Sequence, residues 1–289
     1  MNTVSIETFD TATNKKRTEY RDTILFMLNA VNVNFILLRA TRPGENVPLS
    51  YDQLRVASAH ILSAIATGKT ISTLLNPLSI CSKDALPLAR TFYECILNAS
   101  FVLTDKGVLA ERASKYTIYK LFKKQKNFFD FGVHKGLVKN DFGLRKNDPL
   151  VADALSIFEK KAGGGLRPCF TENRSEKIRA IERISPGAAV LFNGIEAMSW
   201  DLASEIAHGS HFSFDITQSN FSGSGPFFGP EEIGAFATYT MVCSIDAYLR
   251  VLRSIVSEVG GTGELSEACI LFYQEEVPEL ANSLENLTR

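Results

Sequence analysis

Two stretches of this chain carry reactive side-chain types at spacings that bring them together. Trp200–His211 reads WDLASEIAHGSH, with Trp200, Ser204 and His208 four residues apart. On a helix that spacing puts all three on one face. Arg90–Asn98 reads RTFYECILN and repeats the pattern with Arg90, Glu94 and Asn98. Both stripes run along otherwise apolar segments, so each must line a cleft or be held in a buried network. Gly209 stops the second helix just after His208. The imidazole therefore sits at the carbonyl end of the helix dipole, which favours its protonated form.

A histidine that titrates near neutral pH, placed beside a cation, is what RNA cleavage without a metal needs. The histidine moves protons and the cation holds the scissile phosphate. His208 fits the first role and Arg90 or Arg112 the second, with Glu94 and Ser204 as orienting groups. Asn98, Tyr116 and Trp200 would support them. Lys120, Lys123, Lys124 and Lys126, interleaved with Phe122, Phe128 and Phe129, could follow a single strand by charge and stacking. Other chemistries fit less well. Ser204 and His208 have the spacing of a nucleophile and base, but no strained turn or oxyanion hole accompanies them. His208, His211 and Asp215 lack an HExxH or paired ExxH element, so no metal site is expected. The glycines at 163–165 lack the context of a phosphate loop, and no cofactor is implied. His60, among Val56, Ala57 and Ile61, reads as a core or boundary residue.

The elements that must position these groups read as helices. Apolar residues recur at helical spacing from about Arg17 to Ala40, and Pro43-Gly44 ends that run. Ser50-x-x-Gln53 is a capping box for a second helix, stopped by Asn76-Pro77. A third helix is expected from about Ser82 to Thr104 and a fourth from Val108 to Phe129. Asp148-Pro149 starts a fifth, and a short charged one covers about 175–184. Ser185-Pro186 opens the helix that ends at His208. Residues 209–229 form the longest expected loop, before a long helix over about 230–259 and an acidic one over about 264–287. No strand pattern competes. The expectation is an all-α fold, a bundle of about eight to nine helices in a single domain spanning 1–289. Residues 1–16 would be a loose arm and 130–174 a peripheral or inserted segment.

Composition sets outer bounds. The chain has 289 residues, 45% hydrophobic and 22% charged, with a net charge of −1. No whole-protein field draws it to nucleic acid or membrane. Locally the balance differs. Residues 112–146 hold ten Lys/Arg against two Asp, and 264–289 hold six Glu against one Arg. Five scattered cysteines without a secretory leader fit reduced thiols in the cytoplasm. The most apolar run, Ile24–Leu38, is broken by Asn29, Asn32 and Asn34 and falls short of the roughly 20 residues of a membrane span.

Together the stripes resemble a family of bacterial all-helical proteins whose activity is uncharacterised. That family carries R-x3-E-x3-N on one helix, a later R-x3-Y, and Y-x3-S-x3-H-G-S near the end of another. Here these are Arg90/Glu94/Asn98, Arg112/Tyr116, and Trp200/Ser204/His208-Gly209-Ser210, with Trp200 where the family has Tyr. The match covers about Leu86–Ser210. The family is in turn distantly similar to HEPN domains, helical modules of toxins, RNA-cleaving enzymes and defence systems. The resemblance implies a HEPN-like core and an RNA-binding or metal-independent RNA-cleaving protein in bacterial stress or phage defence. HEPN nucleases typically carry Arg-x4-6-His on one helix. Here the four preceding positions in question are Asp201, Leu202, Ala203 and Ser204, so the cation must come from another helix. Two alternatives remain open. One is a non-catalytic helical module whose polar cluster is structural and whose surface binds a protein partner or a second copy as a homodimer. The other is a small-ligand or nucleotide sensor.

Overall fold

The computed structural model describes residues 11–41, 49–159, 168–211, 213–216 and 229–255. Among these the chain is all-α apart from one hairpin. The order is α1 (Thr11–Thr41), α2 (Tyr51–Leu74), a 3-10 turn (Ile80–Asp84), α3 (Ala85–Val102) and α4 (Val108–Lys124). Strands β1 (Lys126–Phe131) and β2 (His134–Lys139) follow, then α5 (Pro149–Phe158), α6 (Arg174–Glu182) and α7 (Pro186–Ile195). A π turn (Glu196–Trp200) joins α7 to α8 (Asp201–Ala207), and α9 (Pro230–Ile255) completes the described chain. No helix of the described residues is long and apolar enough to cross a membrane.

The core is built around α3. Its apolar residues Leu86, Ala89, Phe92, Ile96 and Ala99 are fully buried, and α2 and α9 pack along it. Helix α9 is buried almost throughout from Ala237 to Leu252, which makes it the second axis of the bundle. Helix α1 packs on α2, and Gly68 permits the close approach. A Cβ there would lie 2.7 Å from Leu25 Cδ2 and 3.2 Å from Met241 Cε. The glycine that weakens α2 by propensity is thus the contact point of three helices.

The expected helix starts hold where side chains fix them. Ser50 and Gln53 form the reciprocal capping box, and Gln53 Nε2 donates onward to the Asp105 carbonyl at 2.6 Å. That bond ties the start of α2 to the turn before α4. Asp148 accepts from the Leu150 N–H at 2.9 Å with Pro149 in the first turn. A satellite cluster of Tyr119, Val151, Ala154, Leu155 and Phe158 joins α4 to α5.

Five local expectations need correction. Helix α1 begins at Thr11, inside the stretch expected as a loose arm. The fourth helix ends at Lys124 rather than Phe129. Residues 126–139, expected as helix end and loop, form an antiparallel hairpin pairing Lys126 with Lys139 and Phe131 with His134. Gly132, at φ 66°, takes the first central position of its two-residue turn, where a II′ turn calls for glycine. Gln125 fastens the base: its side chain donates to the Leu144 carbonyl at 2.9 Å and accepts from the Leu144 N–H at 3.1 Å. Asn127 and Asp130 are poor strand formers, which hides the hairpin from a pattern search. The helix expected to run unbroken to His208 is interrupted by the π turn, and the loop expected from 209 contains helical residues at 213–216. The triple glycine and the acidic C-terminal stretch lie outside the described residues.

Candidate functional site

The two stripes meet. Arg90 on α3 donates from Nη1 to Ser204 Oγ on α8. Its Nε lies 3.5 Å from Glu94 Oε1, one turn along the same helix. Its guanidinium carbon stands 3.8 Å from the centre of the Trp200 ring. Trp200 is 7% exposed and is reached edge-on by Tyr93, with ring centres 5.9 Å apart. Packing of α3 against α8 therefore joins Arg90, Glu94, Ser204 and Trp200 in one cluster.

A second guanidinium completes it. Arg174, in the first turn of α6, places its guanidinium carbon 3.5 Å from the centre of the same Trp200 ring. Its Nε donates to Glu196 Oε2 at 3.0 Å. Glu196 also accepts the Tyr93 hydroxyl at 2.7 Å. Burial, reinforced by the Glu196 carboxylate, pushes Tyr93 far above the ordinary phenol range, so it stays a donor. One turn on, Lys177 Nζ donates to Asn98 Oδ1 at 2.7 Å and lies 5.1 Å from the centre of the Phe170 ring. Burial holds its ammonium below the ordinary lysine value, against the opposing pull of Glu94, Cys169 and Glu172.

Arg174, Lys177, Glu196 and Tyr93 were not among the residues chosen from sequence, although two of the signals were present. Extending the Trp200–Ser204 stripe back by four residues gives Glu196. Arg174, Lys177, Ile178 and Ile181 follow helical i, i+3, i+4, i+7 spacing, and Ile178 and Ile181 are buried. The two cations flank the face by which α6 docks on α3.

Unsatisfied donors define the chemistry. Arg90 uses Nη1 on Ser204 and Arg174 uses Nε on Glu196. Among the described residues no hydrogen bond is made by Arg90 Nη2 or by either Nη of Arg174. Two guanidiniums held on one indole thus keep terminal N–H groups available. Planar forks of this kind suit the paired oxygens of a phosphate or carboxylate. Their positions are fixed in advance by stacking and by the carboxylates they pair with. The side chains of Arg90 and Arg174 are 23% and 42% exposed, so an anion can reach them. The π turn supplies both Glu196 and Trp200, and such turns occur frequently at functional sites.

Other expected residues fall elsewhere. His208 is the exposed residue closing α8, with its N–H on the Ser204 carbonyl at 3.0 Å. Its imidazole makes no hydrogen bond or ion pair among the described residues. It is not oriented by Glu94 or Ser204, whose hydroxyl is engaged by Arg90. Arg112 belongs to the satellite cluster, donating to the Cys169 carbonyl at 2.6 Å and standing 5.1 Å from the centre of the Phe158 ring. Tyr116 packs on Phe158 beside it. Cys169 lies between that cluster and Lys177, and burial pushes its thiol up to about 11. Lys120 stands 5.3 Å from the Tyr116 ring centre, and Lys123 is paired with Glu159 at 2.5 Å. Lys120, Lys123 and Lys124 lie on α4 at helical spacing, while Lys126 opens β1 and leaves that helix. No group of three or more His, Cys, Asp and Glu among the described residues is placed to hold a metal ion.

Comparison with protein-family models, with curated proteins and with solved structures finds no match.

His60 yields a pH prediction. Burial, with Lys177 nearby, lowers its pKa from the ordinary 6.5. The unfolded chain then holds a proton that the folded chain has released, and stability rises with pH through that window. As the pH falls below about 6.5 this contribution is lost. Thermal unfolding between pH 7.5 and 5 is expected to show a fall in Tm that is shallower in His60→Gln. A slope unchanged by the substitution would show that His60 does not set it.

Proposed function

We propose that this chain is an RNA-binding protein that holds a backbone phosphate on Arg90 and Arg174. The observation that carries this reading is the pairing of two guanidiniums on Trp200, with Arg90 Nη2 and both Nη of Arg174 making no hydrogen bond among the described residues. Lys177 adds charge one turn away, giving three cations against Glu94 and Glu196 in the cluster. The two stripes resemble an uncharacterised helical family that is distantly similar to HEPN domains, and that resemblance points the same way. An unstacked base adds affinity by lying against an exposed guanidinium plane.

Metal-independent cleavage is the catalytic extension of this reading. His208 is one turn beyond Ser204, exposed and open to solvent, so its imidazole can rotate toward an RNA laid across the site. It would accept the proton of the 2′-hydroxyl as that oxygen bonds to phosphorus, with water protonating the 5′ oxygen as the phosphorus–5′-oxygen bond breaks to leave a 2′,3′-cyclic phosphate, while Arg90 holds the phosphate. A labelled single-stranded RNA, incubated with excess EDTA, tests it. Wild type is expected to cleave, and His208→Ala to bind with similar affinity and cleave at least 10²-fold more slowly. Binding without cleavage by wild type removes the catalytic part and leaves the binding part. Cleavage unchanged in His208→Ala removes the histidine from the mechanism.

A purely structural role for the polar network is the alternative. It is favoured by the internal partners of Arg90, Arg174 and Lys177. In that case substitutions there lower Tm and leave no RNA affinity to lose.

A further inference from the structure

A concavity lies between α1 and α2, and none of its lining residues belongs to the Trp200 cluster. It has a volume of about 470 Å³, within the range of small-molecule sites. Its floor includes Leu25 and Ser72, both buried, and Phe26 stands 72% exposed at its edge. Asp22 on α1 and Lys69 on α2 line it with opposite charges. Neither makes an ion pair among the described residues. Two opposite charges lining one groove without meeting leave room for a molecule that carries the complementary pair.

The floor gives an independent indication. Ser72 is 4% exposed, and its Oγ has no hydrogen-bond partner. Thr67, Thr70 and Thr73 on the same helix each donate back to the carbonyl four residues earlier; Ser72 does not. A buried hydroxyl left without a partner costs stability, and a polar group seated in the groove would satisfy it.

We propose that this groove binds a small zwitterion with an apolar body. Its ammonium faces Asp22, its carboxylate faces Lys69, a polar atom reaches Ser72 Oγ, and its apolar part lies against Leu25 and Phe26. This site is separate from the RNA reading and stands or falls without it.

L-phenylalanine is a suitable probe, because phenethylamine and 3-phenylpropionate each retain the ring with only one of its charges. Calorimetric titration of the full chain is expected to detect phenylalanine at concentrations up to about 10 mM. Each single-charge analogue should bind at least tenfold more weakly. Asp22→Asn and Lys69→Gln should each reduce phenylalanine affinity about tenfold. Both residues are exposed, so their Tm should stay near wild type. Ser72→Ala, which removes an unpaired hydroxyl, should also weaken binding without lowering Tm. No heat from phenylalanine, equal binding of the three probes, or affinity unchanged in both charge variants would overturn the proposal.

Discussion

Replacing Arg90 and Arg174 together by alanine should weaken single-stranded RNA binding by roughly 10²-fold or more. A hydrogen bond to a charged group contributes about 1.5–3 kcal/mol, and about 1.4 kcal/mol is a factor of ten. Each arginine alone should therefore cost about tenfold or more. The double variant also leaves Glu94 and Glu196 without their cations, and these carboxylates would then repel phosphate. Arg90→Lys is informative because lysine keeps the charge but loses the planar fork and its stacking on Trp200. Its affinity should fall between wild type and Arg90→Ala. Filter binding at low salt, with Tm recorded for each variant, separates loss of contact from loss of fold. Unchanged affinity in the double variant would remove the pair from the interface.

The largest expected effect on stability comes from Trp200→Ala. The indole is 7% exposed, meets Tyr93 edge-on and carries both guanidiniums. Truncating a buried tryptophan costs about 3–5 kcal/mol, and for a chain this long each kcal/mol lowers Tm by roughly 2–4 °C. The truncation also leaves Arg90 and Arg174 without the surface that orients them, so RNA affinity should fall in the folded fraction as well. Trp200→Tyr retains an aromatic ring, and a smaller loss of Tm is expected. Thermal unfolding by circular dichroism measures both. A Trp200→Ala protein with wild-type Tm would mean that the indole does not support the cluster.

Much of the arrangement was legible in the residues. Apolar spacing and caps such as Ser50-x-x-Gln53 and Asp148-Pro149 gave the helical architecture, because these devices act within one turn. The two polar stripes marked the correct faces of α3 and α8, and those faces do touch. Arg112 lies in the satellite contact with Cys169 and Phe158, because its distance from Arg90 depends on how α4 and α5 dock and no local pattern encodes that. His208 was expected beside Arg90, but Ser204 takes that contact and the helix ends at the solvent. Arg174 and Lys177 do not stand out in the sequence because a short charged helix resembles a solvated one. The hairpin escaped because Gly132 and Gln125 specify it through a turn and a cross-link rather than through alternation.

Trp200 is the chain's single tryptophan, so its fluorescence reports on the proposed site alone. The decisive measurement is a titration of the intact protein with an end-labelled single-stranded uridine RNA at low salt, following Trp200 emission and RNA anisotropy together. The expected result is a saturable change in both with one midpoint. That midpoint should weaken with salt at a log–log slope of about −0.7 per phosphate contact, and Arg90→Ala/Arg174→Ala should move it by roughly 10²-fold. A rise in anisotropy with no change in Trp200 emission would place RNA elsewhere on the protein, and no change in either would contradict RNA binding itself.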